Sequence, residues 1–389
     1  MQSKTPMTHV AYFGHAAHDA AVRRRVQGFR DDGLEVTGFT MRRRDDPATG
    51  WDNVDLGRTY DGNYIQRVRS VFSGAELAAA SGRLADADLI YARNLDMLAA
   101  AFLAKRKLGL KAPVMYECLD VHRLLTRNDP VGFIFRRLEG ALLKRSRRLV
   151  VSSPGYLENY FSRRHRGQYQ PVLVENRLAA GADYGDRPTR AATASSPGEP
   201  LRLGWIGVLR CARSLDLLLA LAQEAGPAVE IHLHGVPALT EIPDFHERVK
   251  GVPNLTFHGS YRSPEDLAAI YAPLDVVWAG DFMEQGYNSV WLLPNRIYEG
   301  GYYGVPAIAP AGTQTAKWIA DADAGFVIEE DLGQSLPALL SRLSADRSEI
   351  SARRAALLAL PGETFVQPPG LLKQIIKDAL NPEDGTLSL

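Results

Sequence analysis

The chain has 389 residues, of which 46% are apolar, and its 45 basic residues balance its 45 acidic residues. This length fits two or three α/β domains, and the apolar content excludes an intrinsically disordered chain. The charge is unevenly spread, because residues 1–180 contain 29 basic and 19 acidic residues (net +10) and residues 181–389 contain 16 and 26 (net −10). A net charge of zero would argue against a polyanion binder if the charge were evenly spread, but this split predicts an anionic partner, such as phosphate, lipid or nucleic acid, for the basic first half.

Cysteine content and the amino-terminal segment indicate the compartment. The chain has two cysteines, Cys118 and Cys211, without a CxxC pair. This pattern excludes a disulfide framework and a thiolate zinc site. The first residues lack the apolar core of a secretion signal, and no run of about 18 apolar residues could span a bilayer. We therefore expect a cytoplasmic protein.

The first half alternates short β-rich segments with helical ones. A helix is predicted over residues 23–31, ending at Gly33. The predicted strands are 9–14, 34–39, 89–92, 114–118, 149–152 and 172–175. This alternation is typical of a mainly parallel sheet covered by helices on both faces.

Residues 181–200 are rich in Ala, Ser, Thr, Pro and Gly and predict a linker between a domain over 1–180 and a domain over 201–389. The β/α pattern then starts again, with strands at 201–206, 229–234, 255–258, 275–279 and 305–309 and helices at 214–224 and 264–271. We expect two doubly wound α/β domains with a cleft between them. The last helix is a candidate to cross back to the N-terminal domain.

The loop after the strand at 201–206 has the features of a phosphate site. Gly207 would let the backbone approach a phosphate closely, and the next helix offers amide donors at its N-terminus. Arg210 and Arg213 could bind a diphosphate, although a plain turn with two solvated arginines explains the same residues. Neither this loop nor the first βα turn contains GxGxxG, so a nicotinamide enzyme is not supported.

Residues 294–309, PNRIYEGGYYGVPAIA, are the most informative about function. They resemble the P-x-K-x-x-E-Y and small-G-x-P-V-V-A signature of GT-B glycosyltransferases, especially family 4 and its exopolysaccharide members. Segments 174–176, 254–259 and 267–275 resemble further family motifs in the same order. The resemblance implies an α/β protein of the GT-B class, with two doubly wound Rossmann-like domains facing each other across a cleft.

This resemblance also implies site residues. Arg296 would contact the diphosphate of a nucleotide-sugar, and Glu299 would accept hydrogen bonds from the ribose hydroxyls. A carboxylate suits a vicinal diol because it offers two acceptor oxygens. Tyr298 of the same motif, and His234 and Gly235 at a strand end, are further candidate donor contacts. The expected donor is a UDP-sugar, with no cofactor and no metal.

The chain departs from the family pattern at one position. Many family 4 enzymes have a second glutamate eight residues before the first, and Trp291 stands there in this chain. A different residue must then contact the donor sugar, and Tyr287, Asn288 and Ser289 are candidates. The departure also admits enzymes similar to xanthan glucuronosyltransferases, which invert the anomeric centre, so the stereochemical outcome stays open.

Three N-terminal residues are candidates for the catalytic base. Asp120 and His122 follow the strand at 114–118, so we expect them to face the cleft. Asp19 begins the first helix, where a carboxylate could equally cap the helix. His15 is a weaker candidate that would contact the acceptor. If the enzyme retains configuration, the leaving phosphate can take the proton, as is proposed for the family, and no protein base is needed.

Two other patterns bear on ligands. His232 and His234 share a strand face, but a zinc site needs a third ligand that the sequence does not reveal. Residues 131–150 are basic and amphipathic, which predicts contact with anionic lipid through four residues, Arg136, Arg137, Lys144 and Arg145. The alternative is that the apolar side packs on the sheet. Nucleic acid ranks last, since no known binding module accompanies the charge.

The leading hypothesis is a cytoplasmic glycosyltransferase, peripheral to the inner face of the membrane. It would transfer a sugar from a UDP-sugar, held by the second domain, to a lipid-diphosphate-linked saccharide, held by the first, in exopolysaccharide assembly. Two alternatives remain. A GT-B nucleotide-sugar epimerase would need no acceptor, and a non-catalytic two-lobe ligand-binding protein would need an export signal, which the sequence lacks.

Overall fold

The computed structural model describes residues 7–42, 50–59, 64–189, 195–196 and 198–381. The chain forms two compact units, Met1–Gly181 with Gln367–Leu389, and Ala182–Val366. The carboxy-terminal segment thus belongs to the first unit. The linker predicted over 181–200 lies partly outside the described residues.

A seven-stranded parallel sheet forms the centre of the first unit, within the described part of the chain. Its strands are β1 (His9–His15), β2 (Glu35–Arg42), β3 (Asn53–Arg58), β4 (Leu89–Arg93), β5 (Val114–Cys118), β6 (Arg148–Val151) and β7 (Pro171–Leu173). Their order is β3-β2-β1-β4-β5-β6-β7. The direction of winding therefore reverses between β1 and β4, which defines a doubly wound sheet.

The helices between these strands begin and end at recognisable caps. They are α1 (Ala20–Asp31), α2 (Tyr64–Ala80), α3 (Leu95–Leu108), α4 (Arg123–Thr126), α5 (Pro130–Leu143), α6 (Pro154–Tyr156) and α7 (Ser162–Arg164), with a π-helical turn at Leu157–Phe161. The Asp129 side chain accepts the Gly132 amide at 2.9 Å and caps α5, and Pro130 occupies its first turn. Gly109 ends α3 in the left-handed conformation (φ 66°).

A six-stranded parallel sheet forms the centre of the second unit, again among the described residues. Its strands are β8 (Leu201–Leu209), β9 (Val229–Pro237), β10 (Leu255–Gly259), β11 (Val276–Trp278), β12 (Ala307–Pro310) and β13 (Gly325–Ile328). Their order is β10-β9-β8-β11-β12-β13, so the winding reverses between β8 and β11. Both sheets confirm the predicted doubly wound class.

The remaining helices follow in chain order. They are α8 (Ala212–Ala225), α9 (Phe245–Val249), α10 (Leu267–Tyr271), α11 (Asn288–Trp291), α12 (Asn295–Tyr302), α13 (Gln314–Asp321), α14 (Leu332–Ala345), α15 (Ser348–Ala359) and α16 (Leu371–Leu380), with 3-10 turns at Gly226–Ala228 and Gly362–Thr364. No helix among the described residues combines the length and the apolar character needed to cross a bilayer.

Apolar packing explains why α16 belongs to the first unit. Leu372 and Ile376 of α16 are buried in one cluster with Val26 and Phe29 of α1 and with Tyr12 of β1. Three other helices of the first unit pack side by side, α2 against α3 and α3 against α5. Because βαβ crossovers are right-handed, these three helices lie on the sheet face opposite α1.

Candidate functional site

The second sheet brings predicted donor residues together where its winding reverses. The carboxyl ends of β8 and β11 are neighbours there, and they lead to Arg210 and Asp281. Arg210 Nη2 lies 3.5 Å from Asp281 Oδ2, and Asp281 is buried. Open α/β sheets bind ligands at this point, beyond the carboxyl ends of the strands.

Two predicted glycines lie opposite each other on β8 and β9. Gly207 pairs with Gly235, and both have positive φ angles, +118° and +138°. A Cβ atom on Gly235 would lie 1.7 Å from the Gly207 carbonyl oxygen, which no side chain could tolerate. The pairing therefore requires glycine at position 235 and leaves the backbone of the two strand ends uncovered by side chains at these positions.

The N-terminus of α8 is tied to the loop that follows β11. The buried Cys211 sulfur accepts the amides of Ser214 at 3.4 Å and Phe282 at 3.2 Å. The Arg213 guanidinium lies 4.6 Å from the centre of the Phe282 ring, and its Nη1 donates to Gln285 Oε1 at 3.1 Å. Arg213 thus packs across the loop from an exposed position, whereas Arg210 lies at the strand end.

Arg296 is a half-buried cation at the start of α12. Its Nη1 donates to the Trp278 carbonyl oxygen at 3.2 Å, at the end of β11, and this is its one hydrogen bond to the described residues. Burial lowers the pKa of Arg296, and the nearby Asp281 carboxylate opposes that effect. Since the ordinary pKa of arginine is far above neutrality, the guanidinium stays charged. It can therefore donate further hydrogen bonds to an anion.

Glu299 lies three positions after Arg296, so the two share one side of α12. Its side chain is only 3% exposed and accepts the Tyr271 hydroxyl at 2.9 Å. Burial and the Glu299 charge raise the pKa of Tyr271, which keeps that hydroxyl protonated as a donor. Tyr298, another predicted donor contact, lies in the core. Its ring packs edge-to-face against the Trp318 ring, with 5.7 Å between the ring centres.

Two of the three candidate contacts to the donor sugar, Asn288 and Ser289, form side-chain hydrogen bonds within the loop after β11. The Ser289 hydroxyl donates to Asp281 Oδ1 at 2.7 Å and accepts the Glu284 amide at 2.9 Å. The Asn288 amide donates to the Glu284 carboxylate. Tyr287 is exposed, and Trp291 is buried. The buried carboxylate at this strand end is therefore that of Asp281.

A third imidazole joins the predicted pair His232 and His234. The His258 ring, from β10, stacks on the His234 ring with 4.1 Å between the ring centres. The His258 Nε2 atom lies 3.1 Å from His232 Nδ1. Burial, reinforced by the neighbouring imidazoles, lowers the pKa of His234 to about 4. The ring is therefore neutral at neutral pH. No group of metal-ligating side chains in the described part of the chain is arranged to hold a metal ion.

A second cluster lies at the carboxyl edge of the first sheet. His15 Nε2 lies 2.7 Å from Asp96 Oδ2, Arg67 Nε donates to the same oxygen at 2.9 Å, and Arg67 Nη1 lies 3.2 Å from His122 Nε2. Burial would raise the pKa of Asp96, but His15 and Arg67 together lower it well below its usual range. Sequence reasoning found the two histidines but missed Asp96 and Arg67, which come from distant positions.

The three candidate bases occupy different settings. His122 Nδ1 accepts the Leu124 amide at 3.2 Å and so caps α4, and burial followed by Arg67 lowers its pKa. Asp19 caps α1 by accepting the Ala21 amide at 2.9 Å, as its position at a helix start allowed. Asp120 is exposed after β5. The geometry therefore leaves Asp120 as the candidate without a helix-capping role.

Four apolar residues of α5 face outward. Phe133 and Ile134 are 59% and 63% exposed, and Val131 and Leu138 are also exposed. Three of the four predicted lipid-contacting residues, Arg137, Lys144 and Arg145, are exposed as well. The fourth, Arg136, turns inward and donates to the Leu125 carbonyl oxygen at 2.9 Å. Leu142 and Leu143, at the end of α5, are buried, so the apolar side of this segment is covered only in part.

Comparison with known proteins gives relatives of both sequence and fold. No family model matches the chain. The succinoglycan biosynthesis protein ExoL of Rhizobium meliloti (strain 1021) is 40% identical over 353 residues, which cover 90% of this chain and 88% of ExoL. Sucrose-phosphate synthase from Thermosynechococcus elongatus has a TM-score of 0.70 at 16% identity, covering 97% of this chain and 100% of that one. Anabaena HepE in complex with UDP-glucose has a TM-score of 0.69 at 15% identity, covering 96% and 99%. These structures confirm the predicted GT-B fold.

Proposed function

Since the chain belongs to the family of the succinoglycan biosynthesis protein ExoL, we propose that it is a glycosyltransferase of exopolysaccharide assembly. It takes a sugar from a nucleotide-sugar, specifically a UDP-sugar, and transfers it to a lipid-diphosphate-linked saccharide at the inner face of the cytoplasmic membrane. The complex of HepE with UDP-glucose supports a UDP-sugar as the class of donor.

One observation carries the proposal. A half-buried cation, Arg296, and a buried carboxylate, Glu299, lie on one side of α12 beside the point where the second sheet reverses its winding. A nucleotide-sugar needs both groups, because its diphosphate is an anion and its ribose presents two neighbouring hydroxyl donors. Arg210, at the end of β8, supplies a second cation for the diphosphate.

Transfer joins an acceptor hydroxyl oxygen to the anomeric carbon of the donor sugar. The bond from that carbon to the diphosphate breaks, and UDP leaves with the bonding electron pair. Arg296 and Arg210 stabilise the charge that develops on the leaving diphosphate. The hydroxyl proton passes to a base, for which Asp120 is the candidate, or to the leaving phosphate.

The exposed side of α5 supports the membrane part of the proposal. A helix that presents Phe133 and Ile134 to solvent, with Lys144 and Arg145 exposed near its end, combines apolar and cationic groups. Apolar side chains of this kind insert at the boundary between headgroups and acyl chains, and each nearby basic residue adds about 1 kcal/mol at an anionic surface. The first unit would thereby meet the lipid carrier of the acceptor.

Replacing Glu299 with alanine is expected to weaken UDP binding about 100-fold. The substitution removes an acceptor of two ribose hydroxyls, and a hydrogen bond to a charged group contributes about 1.5–3 kcal/mol. Calorimetry with UDP measures the affinity. Release of UDP from labelled UDP-hexose, with and without a lipid-linked saccharide extract, measures transfer, which we expect to depend on the lipid in the wild type and to fall in the variant.

The matched control is Tyr271→Phe, which removes the hydroxyl bound to Glu299 and keeps the carboxylate. Its UDP affinity should stay within about threefold of the wild type. Unchanged UDP affinity in Glu299→Ala would contradict the ribose assignment. Isomerised donor without lipid dependence would identify an epimerase, and binding without turnover would identify a ligand-binding protein.

The double substitution Phe133→Ser and Ile134→Ser is expected to lower binding to phosphatidylglycerol vesicles more than tenfold. Burial of each apolar side chain contributes about 1.5–3 kcal/mol, which serine loses. Raised salt should also release the wild type, because it screens the exposed basic residues. Vesicle sedimentation measures both effects.

The control for this experiment is Val327→Ser, which removes an exposed apolar side chain from the second unit. Its vesicle binding should match the wild type. Binding that ignores salt would contradict a role for the basic residues, and binding that survives the double substitution would remove α5 from the membrane contact.

A further inference from the structure

We propose that Asp281 recognises the transferred sugar of the donor and restricts the enzyme to neutral sugars. The inference rests on the proposed function. It assigns to Asp281 the contact with the donor sugar, for which Trp291 replaces the glutamate of many family 4 enzymes. Asp281 lies in the second unit, just after the end of β11, and its buried carboxylate forms the hydrogen bonds that support this role.

The two oxygens of the Asp281 carboxylate have different surroundings. Oδ1 accepts the Ser289 hydroxyl at 2.7 Å and the Met283 amide at 3.0 Å. Oδ2 meets only Arg210 Nη2, at 3.5 Å, within the described part of the chain. One oxygen therefore fixes the loop after β11, and the other retains the capacity to accept a short hydrogen bond from a ligand hydroxyl.

The position of Asp281 fits the sugar end of the donor. Asp281, Arg210 and the Tyr271 hydroxyl all lie close enough to the Arg296 guanidinium to affect its pKa, and Arg210 lies 3.5 Å from Asp281. A nucleotide-sugar runs from ribose through diphosphate to sugar. With the ribose at Glu299, beside Tyr271, and the diphosphate at Arg296 and Arg210, the sugar falls toward Asp281. The other carboxylate of this loop, Glu284, already accepts the Asn288 amide.

Charge decides which sugars fit. Burial would raise the pKa of Asp281, but Arg210 and the hydrogen bonds from Ser289 and Met283 lower it, so the carboxylate is ionised at neutral pH. An ionised carboxylate accepts hydrogen bonds from sugar hydroxyls and repels the carboxylate of a uronic acid. The site therefore favours a neutral hexose over a glucuronosyl donor. This discriminates against the glucuronosyltransferase-like alternative that the sequence left open.

The test compares the binding of UDP, UDP-glucose and UDP-glucuronate to the wild type, Asp281→Asn and Ser289→Ala. Asparagine preserves the shape of Asp281 and an oxygen for Ser289 and Met283, while it replaces the charged oxygen. In Asp281→Asn we expect the ratio of UDP-glucose affinity to UDP affinity to fall about tenfold, and the preference for UDP-glucose over UDP-glucuronate to shrink similarly. UDP affinity itself should change less than about threefold.

Ser289→Ala separates sugar recognition from loop structure, because it removes a contact of Oδ1 and keeps the charge of Oδ2. It should preserve both affinity ratios. Equal losses for UDP and UDP-glucose in Asp281→Asn would show that Asp281 only holds Arg210, and unchanged ratios would also overturn the proposal. Failure of the wild type to bind UDP would instead overturn the proposed function, so the two failures are distinguishable. Thermal unfolding of each variant shows that it is folded.

Discussion

Replacing Arg296 with methionine is expected to lower kcat/KM for transfer about 1000-fold. Loss of one preorganised donor to a developing charge costs about 10²–10³ in rate, and Arg296 also binds the diphosphate before the reaction. Methionine retains the apolar stem and the approximate volume, so the α12 helix should remain packed. Steady-state rates of UDP release with a lipid-linked acceptor measure the effect, and Arg296→Lys should recover part of it by restoring the charge without the planar guanidinium.

Arg354 provides the matched control. It is a buried arginine of the second unit, and, like Arg296, it donates through Nη1 to a backbone carbonyl oxygen, that of Leu274, at 2.9 Å. Arg354→Met should lower stability and leave kcat/KM within about threefold, since the residue does not belong to the donor site. If both variants lose activity equally, the loss reflects folding and Arg296 has no specific role in transfer.

Strands could be predicted from the sequence where a run of neighbouring apolar residues forms the strand. The buried strand at His9–His15 could be predicted because an apolar run lies between polar segments. Similar apolar runs predicted most other strands of the first sheet. The strand at Asn53–Arg58 was missed, because an edge strand that is half exposed needs no apolar run. β8 and β9 extend to Leu209 and Pro237, beyond the predicted ends, because the paired glycines let the two backbones continue together.

Side-chain roles that depend on distant residues could not be predicted in the same way. The resemblance of residues 294–309 to the family signature pointed to Arg296 and Glu299, but Tyr271 as the partner of Glu299 required the fold. Asp96 and Arg67 meet only because a strand end and two helices converge. Periodicity identified the amphipathic segment 131–150, yet it could not say that much of its apolar side faces solvent, because periodicity does not specify which side the core covers.

The first unit contains a buried ion-pair network whose disruption should have the largest effect on stability. Glu117 Oε2 accepts Arg93 Nε at 2.6 Å, and Oε1 accepts Arg25 Nε at 2.8 Å. All three side chains are buried. Burial would raise the pKa of Glu117, but Arg93 and Arg25 lower it, so the carboxylate is ionised at neutral pH. Its stabilising effect is present at neutral pH and is lost only in acid, below the ordinary range of glutamate.

Glu117→Leu is therefore expected to reduce the free energy of unfolding by about 3–5 kcal/mol, because it leaves two guanidinium groups buried without their anion. Urea unfolding measures the change. Glu76→Gln is the control, since Glu76 forms an exposed pair with Lys107 and should change stability by less than about 1 kcal/mol. A further substitution, Arg93→Met in the Glu117→Leu background, should recover part of the loss by removing one unpaired charge. Stability in Glu117→Leu equal to that of Glu76→Gln would show that the arginines find other partners, and the network would then contribute little to the fold.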